Sequence, residues 1–252
     1  MNRRNILLKI AYPLLGAAIF VGIWWIAAAC VGVEIILPAP NVVFGRFFGL
    51  FADGKFWLSL GYSVGRTLLS FALSFVLALA LAVPAKFSEA FAGVLRPLVT
   101  VLRSVPTIAV ILLILVFLPS GQVPVLISFL IVFPLLYEGF LSALKGVDPE
   151  LAEMSRIYRV PKRVQIARCY IPAILPQVFA ASRSALGLGL KVIVAAEALA
   201  STGMSLGRLM QIANVSFDSA GLLAYTIMAI LVSFLLEGAV LALQKLVVRW
   251  QS

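Results

Sequence analysis

The sequence predicts an all-α membrane protein with about six transmembrane helices. Hydrophobic residues make up 63% of the 252 positions and the mean hydropathy is +1.11, whereas roughly half of a soluble domain is apolar. Several apolar stretches of about 20 residues are each long enough to cross a bilayer. Only 12% of the residues are charged, and many of them fall in one segment between two apolar stretches. We therefore expect a single membrane domain over residues 1–252 with one long polar loop.

The apolar stretches define the elements in chain order. The predicted spans are about 10–33, 62–83, 98–118, 123–144, 173–199 and 220–243. The segment between the first two is interrupted by Pro and Gly and is rich in Phe and Trp, which predicts short helices in the outer interface. The third span has a short core, so it is extended back to Leu98, with Arg103 snorkelling or facing the interior. The stretch after the fifth span is expected to be an outer segment that contains Gly and Ser.

Lys and Arg determine the expected orientation. The net charge of +10 would indicate nucleic acid in a soluble protein, but in a membrane protein the distribution of charge matters. A cytoplasmic N-terminus with six spans puts most Lys and Arg residues on the inner side. We therefore expect a multi-pass plasma-membrane protein whose termini and loop at about 145–172 are cytoplasmic, with lipid but not nucleic acid as a partner.

The central loop has the pattern of a short amphipathic helix. Asp148 suits a helix cap, Pro149 the first helical position, and Glu150 the positive end of the helix dipole. Apolar residues recur at helical spacing among the charges, at Leu151, Met154, Ile157 and Tyr158. This stripe either packs on the protein's own loops or docks a separate cytoplasmic subunit. Pro161 interrupts the pattern, and a second short helix is expected before Pro172.

The loop resembles the EAA loop of permease subunits in binding-protein-dependent ABC importers. Glu153-Met154-Ser155 stands at the Glu-Ala-Ala positions, Arg159 stands where that family has Gly, and Cys169-Tyr170-Ile171-Pro172 follows after nine residues. Because Arg159 replaces the Gly that lets a helix end in a left-handed turn, Pro161 is expected to end the helix instead. Further similarity to the nitrate/sulfonate/taurine type lies at Glu153–Tyr158, Pro172–Pro176 and Ala195–Glu197. The resemblance extends from about Leu37 to the C-terminus.

The resemblance implies a type I ABC importer fold and a permease subunit without catalytic residues. It implies two cytoplasmic ATP-binding subunits, a second copy of the permease and an extracytoplasmic solute-binding protein as partners. ATP and Mg²⁺ would bind the ATPase partner, so no cofactor and no metal is expected in this chain. The residues expected to couple to the ATPase are Asp148, Glu150, Leu151, Glu153, Met154, Ser155, Arg156, Tyr158, Arg159 and Pro172.

The fifth span carries three charged residues at membrane depth, where charge is costly and indicates function by default. Arg183, Lys191 and Glu197 are therefore candidates for the translocation path. Alternatively, Arg183 snorkels inward and Glu197 outward, which leaves only Lys191 deep. Lys191 and Glu197 are six residues apart and need not pair.

Other intramembrane features have structural interpretations. Ala181, Ala185 and Gly189 form a stripe of small residues that either contacts a second permease copy, the favoured interpretation, or packs within the monomer. Glu138 and Glu237 are expected to be structural hydrogen-bonding groups rather than solute ligands.

Two other classes of function are weighed against the importer. A self-sufficient channel or ion-coupled transporter is the alternative, but paired mid-membrane charges and inverted repeats are not apparent. An intramembrane hydrolase lacks its residues, since the sequence has no His and its Asp residues fall outside the predicted spans. The solute stays open among an oxyanion, a sulfonate, a nitrogenous vitamin precursor and an aromatic acid. The positive charge of Arg183 and Lys191 weakly favours an anionic group.

Overall fold

The fold is known from a computed structural model that describes residues 3–158 and 160–248. These residues are helical almost throughout, and no strand occurs among them, so the predicted all-α class is confirmed. The helices are α1 (Arg3–Val31), α2 (Pro40–Gly49), a 3₁₀ turn (Leu50–Ala52), α3 (Gly54–Phe87), α4 (Glu89–Ser104), α5 (Thr107–Phe117), α6 (Val123–Lys145), α7 (Pro149–Ile157), α8 (Lys162–Gln165), a π-helical turn (Ile166–Tyr170), α9 (Ile171–Leu199), α10 (Leu206–Val215) and α11 (Ser219–Val247).

Four helical segments of the described chain are long and apolar enough to cross a membrane: Gly54–Phe87, Val123–Lys145, Lys162–Leu199 and Ser219–Val247. A fifth candidate is the bent pair α4 and α5, and α1 contributes the shorter apolar stretch Leu15–Val31. The predicted fourth and sixth spans correspond closely to α6 and α11. The chain is therefore a multi-pass membrane protein with a helix near each of the six predicted spans.

The third predicted span is not one straight helix. The axes of α4 and α5 meet at 96°, and the break lies at Val105 and Pro106. Val105 is extended, with φ −73° and ψ 130°, because a residue that precedes proline is excluded from the helical region by its contact with the proline ring. Extending this span straight back to Leu98 was therefore wrong.

Three other boundaries differ from the expectation. α3 begins at Gly54, so Phe56 and Trp57 are helical rather than part of an interfacial loop. The separate short helix expected before Pro172 is instead continuous with α9, through the π-helical turn that lies just before this proline. Such irregular turns accommodate residues that cannot complete the regular hydrogen-bond ladder. The expected outer segment contains α10, a helix that the sequence analysis did not predict.

The chain divides into two compact units, and the smaller one combines the part up to Trp57 with Leu209–Met228. Within it, the indole N–H of Trp24 donates to the carbonyl oxygen of Pro38 at 3.1 Å. The rings of Phe56 and Tyr225 stack with their centroids 6.1 Å apart. These contacts join α1 to the segment before α2, and the start of α3 to α11.

The larger unit combines Leu58–Arg208 with the part of the chain from Ala229 onward, and its core lies where α6 packs against α9. Ala185 is fully buried in a cluster with Val132, Leu136 and Phe140 of α6. The predicted stripe of small residues is part of this contact. A Cβ added to Gly139 of α6 would lie 2.7 Å from the Cβ of Ala181, which shows how closely the two backbones approach. The stripe therefore packs within the monomer, and the favoured expectation of a contact between permease copies was wrong.

Candidate functional site

The loop that follows α6 connects it to the Lys162–Leu199 segment, and these are the two most buried candidate spans of the described chain. Its first residues fold as the sequence predicts. The carboxylate Oδ1 of Asp148 accepts a hydrogen bond from the backbone N–H of Glu150 at 2.9 Å, and α7 begins at Pro149. A carboxylate at this position accepts a hydrogen bond from an amide that has no partner within the helix, and the positive end of the helix dipole stabilises its negative charge. After α7, the N–H of Val160 donates to the carbonyl oxygen of Ser155 at 2.9 Å, and the chain enters α8 beyond Pro161.

The described side chains of α7 and the following turn form an exposed, mixed surface. Met154 is 51% exposed, Ile157 72% and Tyr158 75%, and Glu150 and Glu153 are exposed beside them. Ser155 is the one buried side chain among those described in α7, at 5% exposed. Apolar side chains at this exposure, bordered by carboxylates, form a surface typical of protein interaction sites.

The other predicted coupling residues fall in different places. Pro172 is half-buried in the first turn of α9. The side chains of Leu151 and Arg156 lie outside the described part of the structure, and so does the whole of Arg159. The coupling role of all these residues stays a prediction.

The first of the three candidate path residues, Arg183, is paired. Its Nε lies 3.4 Å from Oε2 of Glu237 on α11. A Cβ added to Gly187, one turn further along α9, would lie 3.2 Å from the carboxyl carbon of Glu237. Glycine at position 187 therefore leaves the space that this carboxylate occupies.

Lys191 differs from its two neighbours on α9. It is exposed, and among the described residues no acidic side chain pairs with it. In a bundle at membrane depth, an exposed ammonium group is expected to face water or a partner rather than lipid. The structure brings Lys191 together with neither Arg183 nor Glu197.

Glu197 is the most enclosed charged group of the described chain, with a side chain that is 0% exposed. Its Oε1 lies 2.8 Å from Nη1 of Arg66, and its Oε2 accepts a hydrogen bond from the Ser63 hydroxyl at 2.6 Å. Oε2 also accepts from the backbone N–H of Gly207 at 3.2 Å. Three donors, one of them carrying the opposite charge, compensate the cost of burying the carboxylate. Glu197 as a path residue stays a prediction; in this structure it joins α3, α9 and α10.

The same cluster holds the beginning of α10. The Ser63 hydroxyl oxygen accepts from the N–H of Leu206 at 2.9 Å, and the Ser205 hydroxyl oxygen accepts from the N–H of Arg208 at 3.1 Å. Together with the contact between Gly207 and Glu197, these bonds satisfy the first three amides of the helix, which have no partner within it. The corner from α9 into α10 is thus built around one buried carboxylate.

Ser63 and Arg66 are the members of this cluster that the sequence analysis missed. They lie on α3, more than 130 residues from Glu197, so local pattern cannot connect them. One signal was available: an arginine inside an apolar span needs an acidic partner, and Glu197 is the one carboxylate of α9.

Glu138 also has a charged partner. It pairs with Arg103, the arginine that was expected to snorkel or to face the interior. Both side chains are about half-exposed, and the pair joins α4 to α6. Glu138 and Glu237 thus each pair with an arginine, as expected of structural groups.

Comparisons with known proteins agree with this architecture. The family described as "Binding-protein-dependent transport system inner membrane component" matches residues 74–250, more than two thirds of the chain. The taurine transport system permease protein of Escherichia coli (strain K12) is 24% identical over 240 residues, which are 92% of this chain and 87% of that protein. The putative aliphatic sulfonates transport permease protein of Bacillus subtilis (strain 168) is 27% identical over 242 residues, 95% of this chain and 87% of the relative.

A solved structure shares the fold. A bacterial ABC transporter involved in the import of the acidic polysaccharide alginate superimposes with a TM-score of 0.65 at 16% identity, covering 97% of this chain and 99% of that one. The family match, the relatives along nearly the whole length and the shared architecture lead to one conclusion. The chain belongs to the binding-protein-dependent ABC importer permeases, as a transmembrane subunit similar to those of the nitrate/sulfonate/taurine type.

Proposed function

We propose that this permease pairs with a second copy to form a solute path across the plasma membrane, and that α7 transmits the action of two ATP-binding subunits to it. ATP and Mg²⁺ bind those subunits and not this chain. An extracytoplasmic binding protein delivers the solute. Both termini and α7 face the cytoplasm, an orientation supported by the excess of Lys and Arg on that side.

The observation that carries this proposal is the exposed surface of α7. A nine-residue helix between two membrane spans, with the turn that follows it, presents Met154, Ile157 and Tyr158 to the outside of the subunit. Short helices do not persist without tertiary contacts, and exposed apolar side chains beside carboxylates fit a groove with an apolar floor and a basic rim. A self-sufficient channel needs no such surface.

Charge introduced on the apolar side of α7 is expected to abolish ATPase recovery. In the double variant Met154→Asp and Tyr158→Asp, binding of the ATPase would bury two carboxylates in a desolvated groove. Each unpaired charge there costs several kcal/mol. The measurement is co-purification of the ATP-binding subunits with the tagged permease from detergent-solubilised membranes. Because these subunits reach only cytoplasmic surfaces, the experiment tests the orientation as well.

Val215→Asp is the matched control, since Val215 is an equally exposed apolar residue, 71% exposed at the end of α10. This variant should retain the ATPase at the parental level. If the α7 variant recovers the ATPase fully, the proposed coupling role of this helix is contradicted. A permease that carries solute in liposomes without any ATPase would establish the channel alternative.

The solute is proposed to be a small organic anion, a class to which sulfonates belong. The support is twofold: the relatives named above are taurine and sulfonate permeases, and Lys191 presents on α9 an ammonium group that has no acidic partner among the described residues. We expect Lys191→Ala to lower the uptake of a sulfonate about tenfold or more, because a hydrogen bond to a charged group contributes about 1.5–3 kcal/mol.

Uptake by whole cells or proteoliposomes that contain the binding protein and the ATPase measures this effect. Lys191→Arg, which keeps the charge, should retain most of the uptake. Parental uptake by Lys191→Ala would count against an anion contact at this residue and leave the ATPase coupling untouched.

A further inference from the structure

A cleft of about 580 Å³ lies between α4 and α6, outside the residues considered so far as the path. One wall is α4, with Arg96, Val99 and Thr100, and the other is α6, with Tyr137, Glu138, Leu141 and Lys145. Its volume is in the range of sites for small ligands. Lys145 ends α6, four residues before α7 begins, so the cleft opens at the same end of the subunit as the coupling helix.

The cleft exists because the two helices are in contact over only part of their length. Val99 is buried against α6 in a cluster with Tyr137 and Phe140. One to two turns earlier, α4 carries Ala92 and Gly93, and a Cβ added to Gly93 would meet nothing within 4 Å. Small side chains on α4 therefore leave a space that larger ones would fill.

The charges in the cleft do not balance. Glu138 is already paired with Arg103, and Glu89 lies in the first turn of α4, where the helix dipole favours a carboxylate. Arg96 and Lys145 both line the cleft and are exposed. Counting Arg103, the partner of Glu138, three cations stand against two carboxylates in and beside the cleft. The net charge is therefore +1, and Arg96 and Lys145 are the cations that keep no acidic partner among the described residues.

The remaining lining completes an amphiphilic site. Thr100 and Tyr137 carry hydroxyl groups, whereas Ala92 and Leu141 offer carbon surface. Cations that donate hydrogen bonds beside an apolar wall match a small anion with a hydrocarbon body.

We propose that this cleft is an inner binding site for a small amphiphilic organic anion, with the oxyanion group between Arg96 and Lys145 and the hydrocarbon body against Ala92 and Leu141. This proposal rests on the proposed function, because it places a solute of the same class at a second position, at the cytoplasmic end of the permease. The solute would occupy it after leaving the part of the path at Lys191.

Cysteine protection tests this site. The full chain carries Thr100→Cys with Cys30→Ser and Cys169→Ser, purified into nanodiscs of neutral phosphatidylcholine, and the labelling rate with a water-soluble maleimide is measured. Pentanesulfonate is the probe, and pentanol is the uncharged control. We expect the sulfonate to slow labelling in a saturable way and pentanol to leave the rate unchanged.

Charge variants locate the anion. In Arg96→Gln or Lys145→Gln, the pentanesulfonate concentration that halves the labelling rate should rise about tenfold, because each change removes one charge-assisted hydrogen bond. Arg96→Lys should retain protection. Arg168→Gln, an exposed cation of the cytoplasmic segment, is the matched control and should not change it. An unaltered labelling rate without sulfonate establishes that each variant keeps the cleft.

Three results would overturn the proposal. The first is that pentanesulfonate does not slow the labelling of the cysteine at position 100. The second is that it slows labelling equally in the parent and in the Arg96 and Lys145 variants. The third is that the cysteine does not react with the maleimide at all. Slow labelling in nanodiscs with phosphatidylglycerol, insensitive to sulfonate, would instead assign the cleft to lipid phosphate. Since no ATPase is needed, failure of α7 to recover the ATP-binding subunits would remove the proposed coupling while leaving the protection result in place.

Discussion

Replacing Glu197 with alanine is expected to lower the apparent melting temperature of the permease by about 10 °C. The change leaves the guanidinium of Arg66 without its acidic partner at a site where that side chain is 18% exposed. Among the described residues it keeps a neutral hydrogen-bond acceptor, the carbonyl oxygen of Met204 at 3.3 Å. Breaking a buried ion pair in this way costs about 3–5 kcal/mol, which corresponds to about 10 °C for a chain of this size.

The loss goes beyond one ion pair. The Ser63 hydroxyl and the amide of Gly207 also donate to this carboxylate, and both would be left buried without an acceptor. The start of α10 would lose the bond from Gly207 and keep those to Ser63 and Ser205. We therefore expect looser packing at the corner between α9 and α10.

Heating followed by size-exclusion chromatography in detergent measures the effect. Arg46→Gln is the control, because Arg46 pairs with Asp218 at 3.6 Å and its side chain is 63% exposed. Such pairs contribute about 0–1 kcal/mol, so this variant should melt within a few degrees of the parent. If Glu197→Ala melts with the parent, the carboxylate is not the centre of this corner.

Replacing Gly207 with alanine is the second change with a large expected effect. A Cβ at this position would lie 2.6 Å from the Cβ of Glu197 and 2.7 Å from the backbone nitrogen of Ala198. Neither neighbour is the far end of a flexible side chain, so α10 must move away from α9. Overpacking of this kind costs about 1–3 kcal/mol, and here the displacement also lengthens the hydrogen bond from Gly207 to Glu197.

Gly203→Ala isolates the cause, since a Cβ at Gly203 meets nothing within 4 Å. This control loses the same glycine freedom without the collision and should stay within about 0.5 kcal/mol of the parent. The same melting assay compares the two. Equal stability of both variants would contradict the close approach of α10 to α9.

If both expectations are met, the network of Glu197 and the glycine contact at Gly207 act on one structural element, the start of α10. The double variant Glu197→Ala with Gly207→Ala should then be less destabilised than the sum of the two single variants, because residues in contact are not additive. A strictly additive loss would indicate two independent sites.

Much of this protein follows from its sequence. Apolar stretches longer than the bilayer is thick require helices, because unpaired backbone groups cannot be left in lipid, and this determines the all-α class and the approximate spans. The start of α7 is local as well: Asp148, Pro149 and Glu150 satisfy and stabilise a helix N-terminus by contacts within a few residues. The letters of the same loop carried the family resemblance.

Only the tertiary structure decided how the intramembrane charges combine. Glu197 had the same apparent status as Lys191 when only the chain was considered, yet one is enclosed by α3 and α10 and the other is exposed. The partners Ser63 and Arg66 lie far away in the chain, and helical periodicity records the face of a residue but not the helix opposite that face. For the same reason the small-residue stripe of α9 met α6 of its own chain, and the cleft that presents Arg96 and Lys145 became apparent only when α4 and α6 were placed side by side.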